Sequence, residues 1–315
     1  MTMSATDGPV IAVLCGSDSP EREVSLVSGR EVAKALEKEG LAVELYELAG
    51  SELPAGLKAA RHVVFPALHG GWGENGSLQA ALEARGIAYA GCGPEASRLC
   101  MDKVQTKNIL VSAGWPVLPQ VVFTGEKPPE AAKIISLLGE ALIIKPVGEG
   151  SSVGLHRIHN AEELVATLRK LGTGRWMVEP WVQGREISVG VLHGRALGLV
   201  EIRPKGGVYD YQHKYTAGMT EYLFPAPVEE ELAKVVAEAA EGAFAACRCR
   251  DFARVDFMLP ADGGAVILEI NTLPGLTPTS LLPKSASCRG YAFGTLVRAM
   301  AGPALARFTA ACAAA

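Results

Sequence analysis

The chain lacks any apolar run of the roughly 18–20 residues that a bilayer-spanning helix needs, so no membrane partner is expected. Its opening MetThrMetSerAlaThrAspGlyPro has no basic stretch. The ValIleAlaValLeuCys that follows is too short for the apolar core of a secretory signal. A cytoplasmic location is the expectation. Strong charge of either sign is also missing: 30 Lys+Arg against 34 Asp+Glu leave a net charge of −4, without the basic footprint of a nucleic-acid binder. Seven cysteines, at 15, 92, 100, 247, 249, 288 and 312, are odd in number and scattered, which excludes a disulfide framework. Cys247 and Cys249 stand too close for a usual zinc pair, with no second pair or histidine nearby; all seven read as small reduced residues. Two glycine signatures are absent. No G-x-G-x-x-G follows the first strand, which argues against a dehydrogenase-type fold, and no G-x-x-x-x-G-K-[ST] occurs anywhere.

What is there is a chain of 315 residues, 49% hydrophobic and 20% charged, long enough for two or three domains with buried cores. An unbroken apolar run at 9–15 reads as a buried parallel strand. A helix over 23–39 ended by Gly40, strands over 41–48 and 62–67, a glycine-rich loop at 69–76 and a helix over 77–85 follow. Alternating strands and helices imply an α/β domain with a parallel sheet. Turn residues Gly93 and Pro94 mark a boundary before a helix over 95–112. A smaller mixed region then carries strands at 117–123, 141–145 and 175–180, with helices at 129–138 and 161–171. The remainder carries strands at 185–193, 195–203, 252–259 and 265–270, a helix over 228–248 and a C-terminal helix over 290–308. The alanine-rich tail is expected to fray. The expected fold class is therefore α/β followed by α+β, divided as 1–94, 95–182 and 183–315.

The richest segment runs from Arg254 to Ser280. Asp256, Glu269 and Asn271 lie on two short apolar runs that read as paired strands, and alternate strand residues share a face. Together they form a set of hard oxygen donors suited to Mg²⁺ between nucleotide phosphates. Lys145 ends an apolar strand and precedes a Gly/Ser loop, residues 148–154, whose amides and hydroxyls can surround a polyphosphate. Glu179-Pro180-Trp181-Val182, followed by Glu186, reads as a linker whose backbone can meet a base while a carboxylate holds ribose. Alone, each piece has an ordinary reading: solvated strand polar groups, a surface hairpin, a solvated Lys103, a helix-start Glu21.

In this order, the pieces resemble the ATP-grasp enzymes, and more closely the D-alanine–D-alanine ligases, over nearly the whole chain. The resemblance rests on HisGlyGlyTrpGlyGluAsnGly (69–76), MetAspLys (101–103), LysProValGlyGluGlySerSerValGly (145–154), TyrAspTyrGlnHisLysTyr (209–215), ArgValAspPhe (254–257) and GluIleAsnThrLeuProGlyLeuThrProThrSer (269–280). It implies an ATP-grasp fold behind an N-terminal parallel-sheet domain, and ATP-dependent joining of two D-alanines through a D-alanyl phosphate, for peptidoglycan synthesis. It further implies that Lys103, Lys145, Gly150, Ser151, Ser152, Glu179, Trp181, Val182, Glu186 and Lys214 serve ATP. Asp256, Glu269 and Asn271 would hold two Mg²⁺ (or Mn²⁺). Glu21 would meet the first D-alanine's ammonium with His69 nearby, and Glu21, Ser151 and Tyr215 would form a latch. Arg254 and the Gly275 amide would stabilise the tetrahedral intermediate; Ser280 and the Leu281 amide would receive the second carboxylate. Tyr215 matches the dipeptide-forming pattern. A homodimer is implied too. Pro180 departs from the family, where lysine is frequent, and removes a side-chain contact to adenine. Three alternatives stay open: another ATP-grasp carboxylate–amine ligase, a depsipeptide ligase, and a nucleotide-binding protein without turnover.

Overall fold

In the computed structural model, which describes residues 8–151, 153–205 and 218–314, the first apolar run is β1 (Val10–Gly16), and Ile11 to Cys15 are wholly buried. After it come α1 (Arg22–Lys38), β2 (Val43–Leu48), β3 (His62–Pro66), α2 (Gly71–Glu74), α3 (Ser77–Ala84) and β4 (Ala88–Tyr89). The strands run in the order β2-β1-β3-β4, every pair parallel. Helices must cover such a sheet, which is why its central strands carry no polar alternation. Gly29 lets α1 approach: a Cβ there would sit 2.4 Å from that of Cys15. The glycine-rich stretch expected as a loop contains the short α2, entered through Gly70 at φ +68°.

The helix expected over 95–112 is two, α4 (Pro94–Met101) and α5 (Lys103–Ser112). Asp102 between them is extended, at φ −86° and ψ 99°, and its carboxylate accepts from the Val104 and Gln105 amides at 3.0 Å each. Capping the second helix is worth more to this aspartate than continuing the first.

The middle region follows with β5 (Val121–Thr124), α6 (Ala131–Leu138), β6 (Leu142–Pro146), β7 (His156–Ile158), α7 (Ala161–Leu168) and β8 (Arg175–Pro180), in an antiparallel sheet ordered β5-β8-β6-β7. Leu142, Ile144 and Val178 pack with Ile134 and Leu164 of its helices. By alternation Ile143, Lys145 and Glu179 turn to the other face.

The third sheet is antiparallel, ordered β11-β10-β9-β12-β13. It comprises β9 (Gly184–Leu192), β10 (Arg195–Pro204), β11 (Thr220–Leu223), β12 (Phe252–Pro260) and β13 (Val266–Asn271), with α8 (Glu230–Ala246) between β11 and β12. Val255 and Phe257 pack with Val236, Ala240 and Ala243 of α8, so Arg254 and Asp256 face away from it. α9 (Leu281–Ser287) packs on β9 and β10, and α10 (Phe293–Ala314) returns to the first sheet, where Leu296, Val297, Met300 and Phe308 join the core around β1 and β3. The tail expected to fray continues this helix to Ala314. No helix among the described residues is long and apolar enough to cross a membrane.

Candidate active site

Two cavities meet where the three sheets converge. The first, about 460 Å³, is lined by Glu21, His69, Gly150, Ser151, Arg254, Glu269, Asn271, Gly275, Ser280 and Leu281, among others. Glu21 sits between β1 and α1, where parallel α/β sheets open at their strand ends. Glu21 is 8% exposed, and its carboxylate accepts a hydrogen bond from the Ser151 hydroxyl, 130 residues away. Ser151 takes φ +50°, a left-handed conformation that non-glycine residues keep only where their surroundings hold it. His69 is buried; its Nε2 lies 3.1 Å from Ser28 Oγ and its Nδ1 3.8 Å from Glu74 Oε1. Ser280 Oγ accepts from the Thr277 amide at 3.1 Å, and a Cβ on Gly275 would come within 3.0 Å of it. Leu281 opens α9, so its amide belongs to the first turn, where N–H groups have no intrahelical acceptor.

The second cavity, about 540 Å³, is bounded by Lys103, Lys145, Gly150, Glu179, Trp181, Val182, Glu186, Asp256 and Glu269, among others. Lys145 Nζ lies 2.6 Å from Glu179 Oε2, and the other carboxylate oxygen of Glu179 contacts the buried Lys107 ammonium. Burial, with Lys103 nearby, lowers Lys145 from 10.5 to about 8. Burial and the neighbouring ammoniums of Lys145 and Lys103 lower Lys107 as well, and the Glu179 carboxylate opposes this by favouring charge on both lysines. Trp181 carries the Arg157 guanidinium over its ring at 4.1 Å, and Glu201 holds Arg185 and Arg203 at 2.6 and 2.8 Å. Ser151 borders only the first cavity, although it was expected beside the phosphates too.

Lys103, Glu149, Gly150 and Glu269 border both cavities. Lys103 bonds the Glu149 carbonyl and stands 3.8 Å from Glu269. The expected strand pairing is present in register: Asp256 faces Glu269, and Arg254 faces Asn271. Opposed carboxylates repel, and cationic neighbours offset this. Arg254 donates to Asp256 from Nε at 2.9 Å and Nη2 at 2.8 Å, and Ser188 Oγ adds a bond of 2.6 Å. Asn271 Oδ1 accepts from the Leu273 amide at 3.0 Å. Among the described residues no cluster of three or more His, Cys, Asp or Glu could hold a metal. Two carboxylates and one amide instead suit a hard cation whose remaining oxygens come from a polyphosphate.

Ser152, Lys214, Tyr215 and most of the 205–220 segment lie outside the described residues. The linker reading of 179–182 needs correction. Glu179 and Pro180 end β8, paired with Ile143 and Leu142, and only the residues after them cross to β9. Proline is tolerated there because the strand stops with it. Sequence reasoning missed Lys107, although it lies one helical turn beyond Lys103 and so on the same face. It missed Glu149 and Glu201, which carry no local signal.

Two family models cover most of the chain: D-ala D-ala ligase C-terminus matches residues 109–301, and D-ala D-ala ligase N-terminus matches 49–92. A D-alanine–D-alanine ligase from Anaeromyxobacter dehalogenans is 45% identical over 311 residues, covering 96% of this chain and 99% of that protein. Among solved structures, the D-alanine–D-alanine ligase from Bacillus anthracis complexed with ATP superposes with a TM-score of 0.83 at 28% identity, over 96% of this chain and 99% of its own. The D-Ala:D-Ser ligase from Enterococcus faecalis gives 0.83 at 29% identity, over 94% and 99%.

Proposed function

Because the chain belongs to the D-alanine–D-alanine ligase family and has its ATP-grasp fold with an N-terminal parallel sheet, we propose that it joins two D-alanines at the expense of ATP, supplying D-alanyl-D-alanine for peptidoglycan. The observation that carries this reading is the wall shared by the two cavities. A triphosphate in one would end beside an amino-acid carboxylate in the other, so phosphoryl transfer needs no movement of either substrate.

A carboxylate does not condense with an amine in neutral water without activation. Transfer of the γ-phosphoryl group to the first D-alanine gives an acyl phosphate, and the second amine then displaces phosphate. Charge neutralisation is the main demand. Lys103, Lys145 and Gly150, which line the second cavity, would supply it at the phosphates, and Lys214 and Ser152 would have the same role. Glu179, Trp181 and Val182 meet the base and Glu186 the ribose. Asp256, Glu269 and Asn271 would hold two Mg²⁺ (or Mn²⁺), which bring further neutralisation when bound. Glu21 and His69 orient the first D-alanine; Arg254 and the Gly275 amide receive the developing oxyanion; Ser280 and the Leu281 amide take the second carboxylate. Glu21 and Ser151, already hydrogen-bonded, would be joined by Tyr215 in a latch that keeps water from the acyl phosphate. The working units are 1–94, 95–182 and 183–315, with α10 of the last docked on the first. The protein acts in the cytoplasm as a homodimer.

ADP release with D-alanine tests the reading, with L-alanine as control and D-serine and D-lactate as competing second substrates. Turnover is expected with D-alanine alone. Faster turnover when D-lactate or D-serine is added would reassign the second substrate, and no D-alanine-dependent ADP would remove the reading.

A further inference from the structure

Lys107 is buried, lies outside both cavities and stands against the Glu179 carboxylate. Its side chain is 2% exposed, that of Glu179 3% and that of Lys145 15%, and Lys107 does not line the second cavity although Glu179 and Lys145 do. Besides Glu179 it reaches the Leu118 carbonyl at 3.4 Å. Two ammoniums thus share one carboxylate at the cavity wall. A carboxylate this deeply buried needs a cation beside it. If Lys145 turns to a phosphate oxygen, Glu179 stays compensated only because a second ammonium is already in contact with it. The exchange then ends with two one-to-one pairs, Lys145 with phosphate and Lys107 with Glu179.

We propose that Lys107 is a positioning residue for the nucleotide: it keeps the Glu179 carboxylate compensated and in place, so that Lys145 is released to the phosphates. This rests on the nucleotide site proposed above. Burial first, then the ammoniums of Lys145 and Lys103, lower Lys107 to about 6; the Glu179 carboxylate in contact with it, and the turning of Lys145 to a phosphate, favour its charged form. Asp102 matters here too, because the cap it makes starts α5 and sets the face on which Lys103 and Lys107 stand.

The test is a double-mutant cycle read by direct binding of ADP and by steady-state kinetics. Lys107→Met is expected to weaken ADP binding at least tenfold and to raise the KM for ATP similarly, with the KM for D-alanine within twofold. Lys107→Arg, which keeps the charge, is expected to stay within threefold of the parent. In a Glu179→Gln background, Lys107→Met should change ADP binding less than twofold. Should Lys107→Met prove unstable, Lys107→Gln takes its place in the cycle. Parent-like ADP binding by Lys107→Met, or equal loss in both backgrounds, overturns the inference. A parent that binds ADP and obeys the cycle but releases no ADP with D-alanine would instead overturn the ligase reading and leave Lys107 in its role.

Discussion

Arg254 and Asp256 stand two residues apart on β12 and share the face opposite α8, so one alternation delivers a guanidinium and a carboxylate to the same place. Arg254 is proposed to meet charge that exists only in the transition state. Arg254→Ala is therefore expected to lower kcat by roughly 10²–10³-fold, the usual loss when a preorganised donor to an oxyanion is removed. Steady-state rates with saturating ATP and D-alanine check this, and a loss below tenfold would take the role away from Arg254. Lys145 makes a pH prediction. In the nucleotide-free protein it is lowered to about 8 by burial first and Lys103 second. A bound polyphosphate favours its charged form and raises it. Nucleotide binding should then take up a proton above about pH 8, and affinity should fall as pH rises from there towards 10.5. Calorimetry in buffers of different ionisation enthalpy measures the uptake; affinity that stays level from pH 7 to 10 contradicts it. The linkage sign for folding is opposite. The unfolded chain holds the proton up to 10.5 and the folded one only to about 8, so this group adds stability as pH rises between the two.

The break between α4 and α5 shows a local side chain overruling a longer pattern. The 95–112 stretch reads as one helix because nothing in it is proline or glycine until Gly114 apart from Pro94 at its start. Asp102 ends the first helix by bonding two amides of the next. Asp102→Ala is expected to cost about 1 kcal/mol of unfolding free energy, typical of a lost cap. Its ion pair with the half-exposed Arg175, at 2.6 Å, adds little to that. Urea denaturation of Asp102→Ala and Asp102→Asn gives the test, with Asn retaining most of the stability; an unchanged midpoint for Ala would show that water caps the helix as well. The long strands and helices were legible because each repeats its period several times: β1, β9, β12, α1 and α8 lie within about two residues of their expected ranges. β7, with three residues, and β11, with four, are too short to show a period. α9 was hidden for another reason. Its residues LeuLeuProLysSerAlaSer bury Leu281, Leu282, Pro283, Ser285 and Ala286 alike, so no polar face marks it.

Across the molecule, the chain's last helix closes on its first sheet. Asp251, just before β12, is the clasp: its carboxylate accepts from the Gly91 amide at 2.9 Å and holds Arg307 of α10 through both oxygens, at 3.0 and 2.5 Å. Arg307 also donates to the Tyr89 carbonyl at 2.7 Å. Arg307→Met would leave the Asp251 side chain, 3% exposed, without its cation. An expected loss of about 3 kcal/mol, the low end for breaking a buried pair because Arg307 is itself one-third exposed, can be read from denaturant unfolding. A loss under 0.5 kcal/mol would show that solvent replaces the guanidinium. None of this clasp was legible, because nothing at position 251 or 307 points to a partner 56 residues away. The motifs did give the chemistry. Glu269 and Asn271 share a face by strand alternation alone, and their pairing opposite Asp256 and Arg254 follows from two short apolar runs joined by a turn. Order along the chain likewise carried the family resemblance. Tertiary structure alone brought Glu21 to Ser151, put Lys107 behind Glu179 and set the two cavities on either side of one shared wall. Periodicity reports what a residue does within its own helix or strand; burial and charge compensation between elements are settled only when separate sheets pack together.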